Sequence, residues 1–253
     1  MKIFLAVLAG SMVLSQSQLP AQNTTIAVPL TAEHHHHLVF SDPQVRAFYV
    51  VIPVKDQTLV HQHDVNYVWV GLGEADVVNA TVNKQPVRLH SKDDMLHFSP
   101  GHFAHKAINV GDTTYRNVTV ELLQDQKNPR NLCQEVLEGK PLHCVPATAG
   151  RVEQGPGVTV QPDFATDEIE FDTVSVAPGD TVKLSGEAIP PVVIALSHTT
   201  ASADPVSADS IHANPKKLQA GDVVSAKKDA ALTLRNTGAG PAKFLVFNFL
   251  NSR

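Results

Sequence analysis

The chain has 253 residues, with 20 Lys and Arg against 25 Asp and Glu, and a formal net charge of −5 at pH 7. A mildly acidic chain without a Lys/Arg cluster lacks the electrostatic footprint of a protein that binds nucleic acid or an anionic membrane, so we expect neither partner. The length is enough for one large or two small β domains.

The first 21 residues have the pattern of a secretory signal peptide. Lys2 supplies the positive charge, and the apolar stretch at 3–14 has the length of the hydrophobic region of such a signal. That stretch is too short to span a bilayer, and Ser11 stands where a bacterial lipoprotein would carry its lipidated Cys. The segment 1–21 therefore predicts a secreted or periplasmic protein without a stable membrane anchor.

The remaining sequence is predicted to be all-β. Short apolar or alternating runs recur between turns that contain Gly, Pro and Asn, which is typical of β-sandwiches and barrels. The runs include VRAFYVVIP at 45–53, YVWVGL at 67–72 and KFLVFNFL at 243–250. The polar segment 125–156 interrupts this pattern with four prolines. We therefore predict a connection there between two domains, at 30–124 and 157–251.

The two halves of the chain resemble each other. NVGDTTYRNVTVELL from Asn109 aligns with NTGAGPAKFLVFNFL from Asn236, and Gly111 and Gly238 stay in step. This self-similarity indicates a tandem duplication of one β module of about 95 residues.

Cys133 and Cys144 are the only cysteines, and both lie in the connection. In an oxidising compartment the simple interpretation is one disulfide that closes a short loop. A Cys/Cys/His metal site that includes His143 is the alternative, although its spacing matches no zinc pattern.

Two histidines stand one residue apart in TLVHQHDVNYVWVGLG. Alternate side chains of a strand share a face, so His61 and His63 would point the same way, together with Leu59. On an interior face, two imidazoles without partners would be unfavourable, and a divalent metal ion would compensate because neutral imidazole is a common ligand. The segment SPGHFAHKAINVG supplies His105 as a third ligand. Two exposed histidines at the rim of a sheet are the alternative.

At these residues the sequence resembles the cupin superfamily. The first motif of that family is His-x-His, three or four residues, Glu and then Gly, and the second is Pro-x-Gly-x-x-His-x-x-x-Asn. The matching residues are His61, His63 and Gly73 for the first motif and Pro100, His105 and Asn109 for the second. Gly101 stands one place early.

The sequence departs from the family at the Glu ligand, whose position falls on Asn66 or Tyr67. Three neutral histidines with open positions would remain, and they would leave a divalent ion its full charge to polarise a bound water or anion. The resemblance implies one divalent transition metal, Fe, Mn, Zn, Ni or Cu, and a small-molecule ligand or substrate. Tyr67 and His102 are the candidate catalytic side chains, although an exposed loop position is the favoured interpretation for His102.

The second module lacks these ligands. In the order of the alignment, the three ligand positions are filled by Leu184, Gly186 and Leu232. The resemblance therefore implies two tandem cupin-like (jelly-roll) barrels, a metal-binding N-terminal one and a degenerate, structural C-terminal one.

EHHHH at 33–37 precedes the strand-like residues LVF. Four adjacent histidines alternate faces and cannot all serve one site. We expect a solvent-exposed segment that leads into the strand. A flexible segment that binds metal ions is the alternative.

These observations lead to three hypotheses. The first is an exported bicupin that acts on a small organic molecule as an oxygenase or a related metal enzyme. The second is a non-catalytic ligand-binding or scaffolding cupin, with a homodimer as a candidate assembly. The third is a structural surface domain in which the histidines have no role.

Overall fold

A computed structural model describes residues 26–146, 152–153, 155–185, 189–204, 217–226 and 229–250. The predicted signal peptide at 1–21 lies outside these residues. The described part of the chain contains one 3-10 turn, η1 (Leu30–Ala32), and otherwise only β-strands, so the predicted all-β class is confirmed. Within that part, no helix has the length and apolar character needed to cross a membrane.

The N-terminal barrel consists of two facing five-stranded sheets. Its strands are β1 (Val28–Pro29), β2 (His36–Ser41), β3 (Val45–Ile52), β4 (His61–His63), β5 (Tyr67–Gly71), β6 (Ala75–Thr81), β7 (Val87–Ser91), β8 (Leu96–Ser99), β9 (Phe103–Asn109) and β10 (Tyr115–Leu122). One sheet has the order β1-β4-β9-β6-β7, and the other has the order β2-β3-β10-β5-β8.

The C-terminal barrel repeats this arrangement. Its strands are β11 (Arg130–Asn131), β12 (Val152–Glu153), β13 (Val158–Ala165), β14 (Ile169–Val176), β15 (Thr181–Leu184), β16 (Val192–Ala195), β17 (Thr200–Asp204), β18 (Leu218–Gln219), β19 (Val223–Ser225), β20 (Leu232–Asn236) and β21 (Ala242–Phe249). The sheet orders are β11-β13-β14-β21-β16-β19 and β12-β15-β20-β17-β18. The sets β14-β21-β16-β19 and β15-β20-β17-β18 reproduce β3-β10-β5-β8 and β4-β9-β6-β7. The two tandem barrels are therefore confirmed.

The aligned asparagines have the same structural role in both barrels. Nδ2 of Asn109 donates hydrogen bonds to the carbonyl oxygens of Ile52 and Thr113, and its Oδ1 accepts one from the N–H of Gly111. Asn236 makes the three equivalent bonds, with Val176, Gly240 and Gly238. Both side chains are buried. Each asparagine therefore closes the turn before the last long strand of its barrel.

Strand β3 is apolar on both faces because both faces are covered. Val45 and Ala47 pack between the two barrels, whereas Phe48, Val50 and Ile52 point into the N-terminal barrel. A strand covered on both sides needs an almost continuous apolar run, which explains the sequence VRAFYVVI.

The largest apolar cluster of the described residues lies between the barrels and is shared by them. It includes Phe40 and Phe98 from the first barrel and Phe164, Phe171 and Phe247 from the second. A second cluster fills the interior of the C-terminal barrel. The cluster inside the N-terminal barrel contains only seven buried residues, because polar side chains occupy part of that interior. A candidate site is therefore expected there.

The predicted disulfide joins Cys133 and Cys144. It uses both thiols that the alternative metal site with His143 would need, so that alternative is wrong. The loop is also held by the buried Asn131, whose Nδ2 donates to the carbonyl oxygen of Leu137 at 2.9 Å.

Candidate metal centre

Three histidines converge inside the N-terminal barrel. His61 on β4 is the direct cross-strand partner of His105 on β9, and the strand alternation turns His63 to the same interior face. The three residues are 1%, 2% and 8% exposed, and their ring centroids lie 4.5–5.1 Å apart. One nitrogen of each ring lies within 4.8 Å of the others. The structure thus brings together all three predicted ligands.

Neighbouring acceptors fix the orientation of two of these rings. Nδ1 of His61 donates to the carbonyl oxygen of Leu59 at 2.9 Å, and Nδ1 of His105 donates to Oδ1 of Asn79 at 2.6 Å. A neutral imidazole that carries its proton on Nδ1 has a lone pair on Nε2. Metal-binding histidines are commonly held in this way by an acceptor behind the ring.

The nitrogen atoms suit one metal ion. Nε2 of His63 lies 3.1 Å from Nε2 of His105. When each nitrogen lies about 2.0–2.1 Å from the ion and the N–metal–N angle is about 90–110°, neighbouring ligand nitrogens are about 2.9–3.4 Å apart. Nε2 of His61 is buried without a hydrogen-bond partner among the described residues. A bound ion would satisfy that atom, so the donor set fits a metal.

Burial keeps the three imidazoles neutral. Burial, with a smaller contribution from neighbouring imidazoles, lowers the pKa of His61 to about 4, that of His63 to about 2 and that of His105 to about 3. Neutral imidazole is the form that binds a metal, so no proton has to be removed near neutral pH.

A cavity of about 60 Å³ adjoins the three rings. This volume accommodates a few water molecules or a ligand with a few non-hydrogen atoms. Val50, Ile52, Val77 and Leu89 form apolar parts of its wall, and no Lys, Arg, Asp or Glu is among its described lining residues. A ligand would therefore be recognised by a metal ion, by neutral polar groups and by shape.

The structure separates the two candidate catalytic residues. Tyr67 lines the cavity and stacks on His63 at a centroid distance of 4.0 Å. Burial raises the pKa of Tyr67 to about 12, although a hydrogen bond with Ser99 opposes the shift. His102 is exposed on the turn before β9 and is not among the described residues that line the cavity. Only Tyr67 is placed to act at the site.

The structure corrects two expectations from the sequence. The His34–His37 run is not simply a solvated lead-in, because the side chains of His35 and His36 are only 7% and 5% exposed. Leu59 does not share the interior face with His61, since it is 46% exposed and lies before β4 begins.

His36 is a functional candidate that the sequence interpretation missed. It lines the cavity, and its ring centroid lies 4.7 Å from that of His61. Burial lowers the pKa of His36, although Glu33 opposes this effect. Strand alternation within EHHHH would give alternate histidines one face, but it could not have shown that the adjacent His35 and His36 are both buried or that His36 lines this cavity.

The buried carboxylate of Glu33 holds this part of the wall. It accepts hydrogen bonds from the N–H groups of His35 and Leu59, from Nδ1 of His35 and from Nδ1 of His36. Burial alone would raise the pKa of Glu33, but the hydrogen bonds that it accepts and the electrostatic effect of the adjacent His36 lower it to about 2. Glu33 is therefore an ionised acceptor at neutral pH.

Comparisons with known proteins bear on the fold. No protein-family model matches the chain, and no curated protein sequence does. AerE from Microcystis aeruginosa matches with a TM-score of 0.54 and 11% identity, over 85% of this chain and 97% of its own. A variant salicylate 1,2-dioxygenase from Pseudoaminobacter salicylatoxidans in complex with gentisate has a TM-score of 0.52 and 13% identity, over 82% of this chain and 69% of its own. A cupin domain from Bordetella pertussis Tohama I, at 21% identity, covers 34% of this chain and 90% of its own with a TM-score of 0.33.

The duplicated strand order of the two barrels decides the architecture. The chain has the bicupin fold. In the second barrel, Leu184 faces Leu232 across β15 and β20 in the register that joins His61 to His105. Both leucines are buried in the apolar cluster of the C-terminal barrel, and Gly186 lies outside the described residues. At the two ligand positions that can be compared, the second barrel has buried leucines where the first barrel has histidines.

Proposed function

We propose that this protein is a metal-binding bicupin that holds one divalent transition metal through His61, His63 and His105. On this proposal the metal binds a small organic molecule, and oxygenase chemistry is the reaction class. The observation that carries the proposal is the convergence of three neutral, buried imidazoles on one point. The fold similarity to a salicylate 1,2-dioxygenase supports the reaction class.

The residues of the chain would prepare the site for such an ion. A bound divalent metal supplies a Lewis acid with open coordination positions. The carbonyl group of Leu59 and the amide of Asn79 hold the rings of His61 and His105. Tyr67 packs flat against His63 and limits its rotation. The apolar wall excludes bulk water from the bound molecule.

We also propose export to an oxidising compartment, either the periplasm or the exterior of the cell. The expected signal segment at 1–21 and the disulfide between Cys133 and Cys144 support this location. A homodimer is the assembly to test by light scattering of the untagged protein.

The metal content of the purified protein tests the central proposal. The protein is produced without an affinity tag, because its own histidine run would bind a nickel column, and the metal per chain is measured by elemental analysis. Wild type and His102→Ala, which removes an exposed histidine, should contain about one metal per chain after reconstitution. The double variant His61→Ala/His63→Ala should contain almost none. Near-zero metal in the wild type, or full metal in the double variant, would contradict the proposal.

A non-catalytic ligand-binding cupin is the second candidate. Two observations favour it: no carboxylate is among the described residues that line the cavity, and the second barrel is filled with apolar side chains. Oxygen uptake with small thiols and small dicarbonyl compounds, whose few non-hydrogen atoms suit the cavity of about 60 Å³, separates the two candidates. Turnover of any of these compounds supports the oxygenase, whereas stoichiometric metal without turnover of any supports the binding protein.

A further inference from the structure

His36 is a fourth imidazole at the cavity, and it belongs to neither cupin motif. It comes from β2, in the sheet opposite the one that carries β4 and β9. Its side chain is 5% exposed, and its ring lies as close to His61 as the three ligand rings lie to one another. The cavity thus has a nitrogen-bearing side chain on the sheet that supplies no ligand.

Glu33 determines which nitrogen of His36 is available. Oε2 of Glu33 lies 2.6 Å from Nδ1 of His36, the shortest of the hydrogen bonds to this carboxylate. An ionised carboxylate can only accept, so Nδ1 must carry the proton. In the neutral ring, Nε2 then has a lone pair and acts as a hydrogen-bond acceptor.

His36 lies beside the proposed ion and not on it. Its nitrogens are not part of the set of three that all lie within 4.8 Å of one another. The bond to Glu33 also restrains the ring against rotation toward that set. A molecule bound at an open position of the metal would lie in the cavity that His36 lines.

We infer that His36, oriented by Glu33, contacts the molecule bound at the open side of the metal and selects ligands that present an O–H or N–H group there. This inference rests on the proposed function. No Lys or Arg is among the described lining residues, so no cationic side chain there would offset the repulsion between the lone pair of His36 and an anion without a hydrogen. A ligand with a hydrogen in that position would gain a bond.

The cobalt(II)-loaded protein provides the test, because the visible spectrum of cobalt reports both its own ligands and an added one. Two small probes are titrated: formohydroxamate, which binds through oxygen and keeps an N–H group, and azide, which has no hydrogen. The variant His36→Phe keeps a flat ring but removes the acceptor. The matched control is His37→Phe, which changes the exposed neighbour in the same run.

The wild type and His37→Phe should bind formohydroxamate with equal affinity. His36→Phe should bind it about five- to tenfold more weakly, as expected for one lost hydrogen bond, and its affinity for azide should stay equal or rise. If His36→Phe does not fold, His36→Asn keeps a short amide that can donate to Glu33 from the position of Nδ1 but does not reach the position of Nε2, and it should show the same selective loss.

Three results would overturn the inference: an equal loss for both probes, no loss for either, or a change in the cobalt spectrum before any probe is added. The last would make His36 a metal ligand. If cobalt does not bind to the wild type, the proposed function itself fails. Binding of cobalt without selectivity at His36 rejects only the present inference.

Discussion

His61 and His105 face each other directly across β4 and β9. The same register in the second barrel places Leu184 opposite Leu232. One cross-strand position therefore carries two candidate metal ligands in the first copy and a packed aliphatic pair in the second. The two barrels share this strand geometry. The side chains at this position therefore determine whether it forms a candidate metal site or part of an apolar core.

The hydrogen bond from Nδ1 of His105 to Asn79 should contribute to the metal affinity of the site. Asn79→Ala removes the Oδ1 atom that accepts from Nδ1 of His105, and loss of such a partner commonly weakens binding about 10–100-fold. Asn79→Asp keeps an acceptor at the same position and should retain most of the affinity. Competition with a chelator of known affinity measures both variants. Equal affinity of Asn79→Ala and wild type would show that the bond does not hold the ligand.

The metal-free protein should lose stability as the pH falls below about 6.5, the ordinary pKa of histidine. The pKa values of His61, His63 and His105 are lowered in the folded state to about 4, 2 and 3. Between pH 6.5 and these values the unfolded chain binds more protons, so the free energy of unfolding decreases with acidification.

Urea denaturation of the metal-free protein between pH 7.5 and 5.0 checks this dependence. The lowered pKa of Glu33, about 2, affects stability only below its ordinary value near 4.5, so it does not contribute in this range. A variant with glutamine at all three ligand positions should show a flatter dependence. An unchanged slope in that variant would contradict the assignment.

The two turn asparagines should contribute similarly to stability. Asn109→Ala and Asn236→Ala each remove three hydrogen bonds from a buried turn. Leaving buried polar groups without partners costs about 1–3 kcal/mol. Urea denaturation should show a loss of this order for both variants. Metal content per folded chain should stay at the wild-type level, because neither side chain belongs to the cluster of ligand nitrogens.

Gly101 should tolerate no side chain. Its φ is +68°, and an added Cβ would clash with the carbonyl group of Val65. Gly139 has the same φ of +68° with nothing within 4 Å of an added Cβ, so Gly139→Ala reports the backbone strain alone, about 1–2 kcal/mol. Gly101→Ala should destabilise the protein by more than this in thermal melting. Equal losses would mean that the turn before β9 can shift to make room.

Reduction of the disulfide should lower stability without emptying the site. The two cysteines are separated by 11 residues, and closing a loop of this length stabilises the fold by about 3 kcal/mol in the chain-entropy model. Cys133→Ser/Cys144→Ser should therefore melt at a lower temperature. Its metal content should equal that of the wild type, since the loop lies outside the cavity.

The features that depend on the local spacing of residues could be predicted from the sequence. The period of two in a strand gives His61 and His63 one face, and the turn pattern around Asn109 recurs at Asn236. The inward position of His36 could not be predicted in this way, because β2 begins only at His36 and the preceding histidines lie in the turn after η1. The exposure of Leu59 has a similar cause, because β4 begins only at His61. Such start points follow from tertiary packing and not from local periodicity.

The sequence also could not show which surface covers β3. An apolar strand with both faces buried indicates two neighbours but does not identify them. Val45 and Ala47 meet the second barrel, whereas Phe48 meets the interior of the first. Which face of β3 meets which barrel is defined only when both barrels have folded and packed together.

The apolar cluster between the barrels has a consequence for the copy that lacks the ligand histidines. A fragment ending before β13 would leave Phe40 and Phe98 facing water without Phe164, Phe171 and Phe247 against them. Exposed patches of this kind promote aggregation. The second barrel thus covers an apolar face of the first, and the first barrel produced alone should be prone to aggregation.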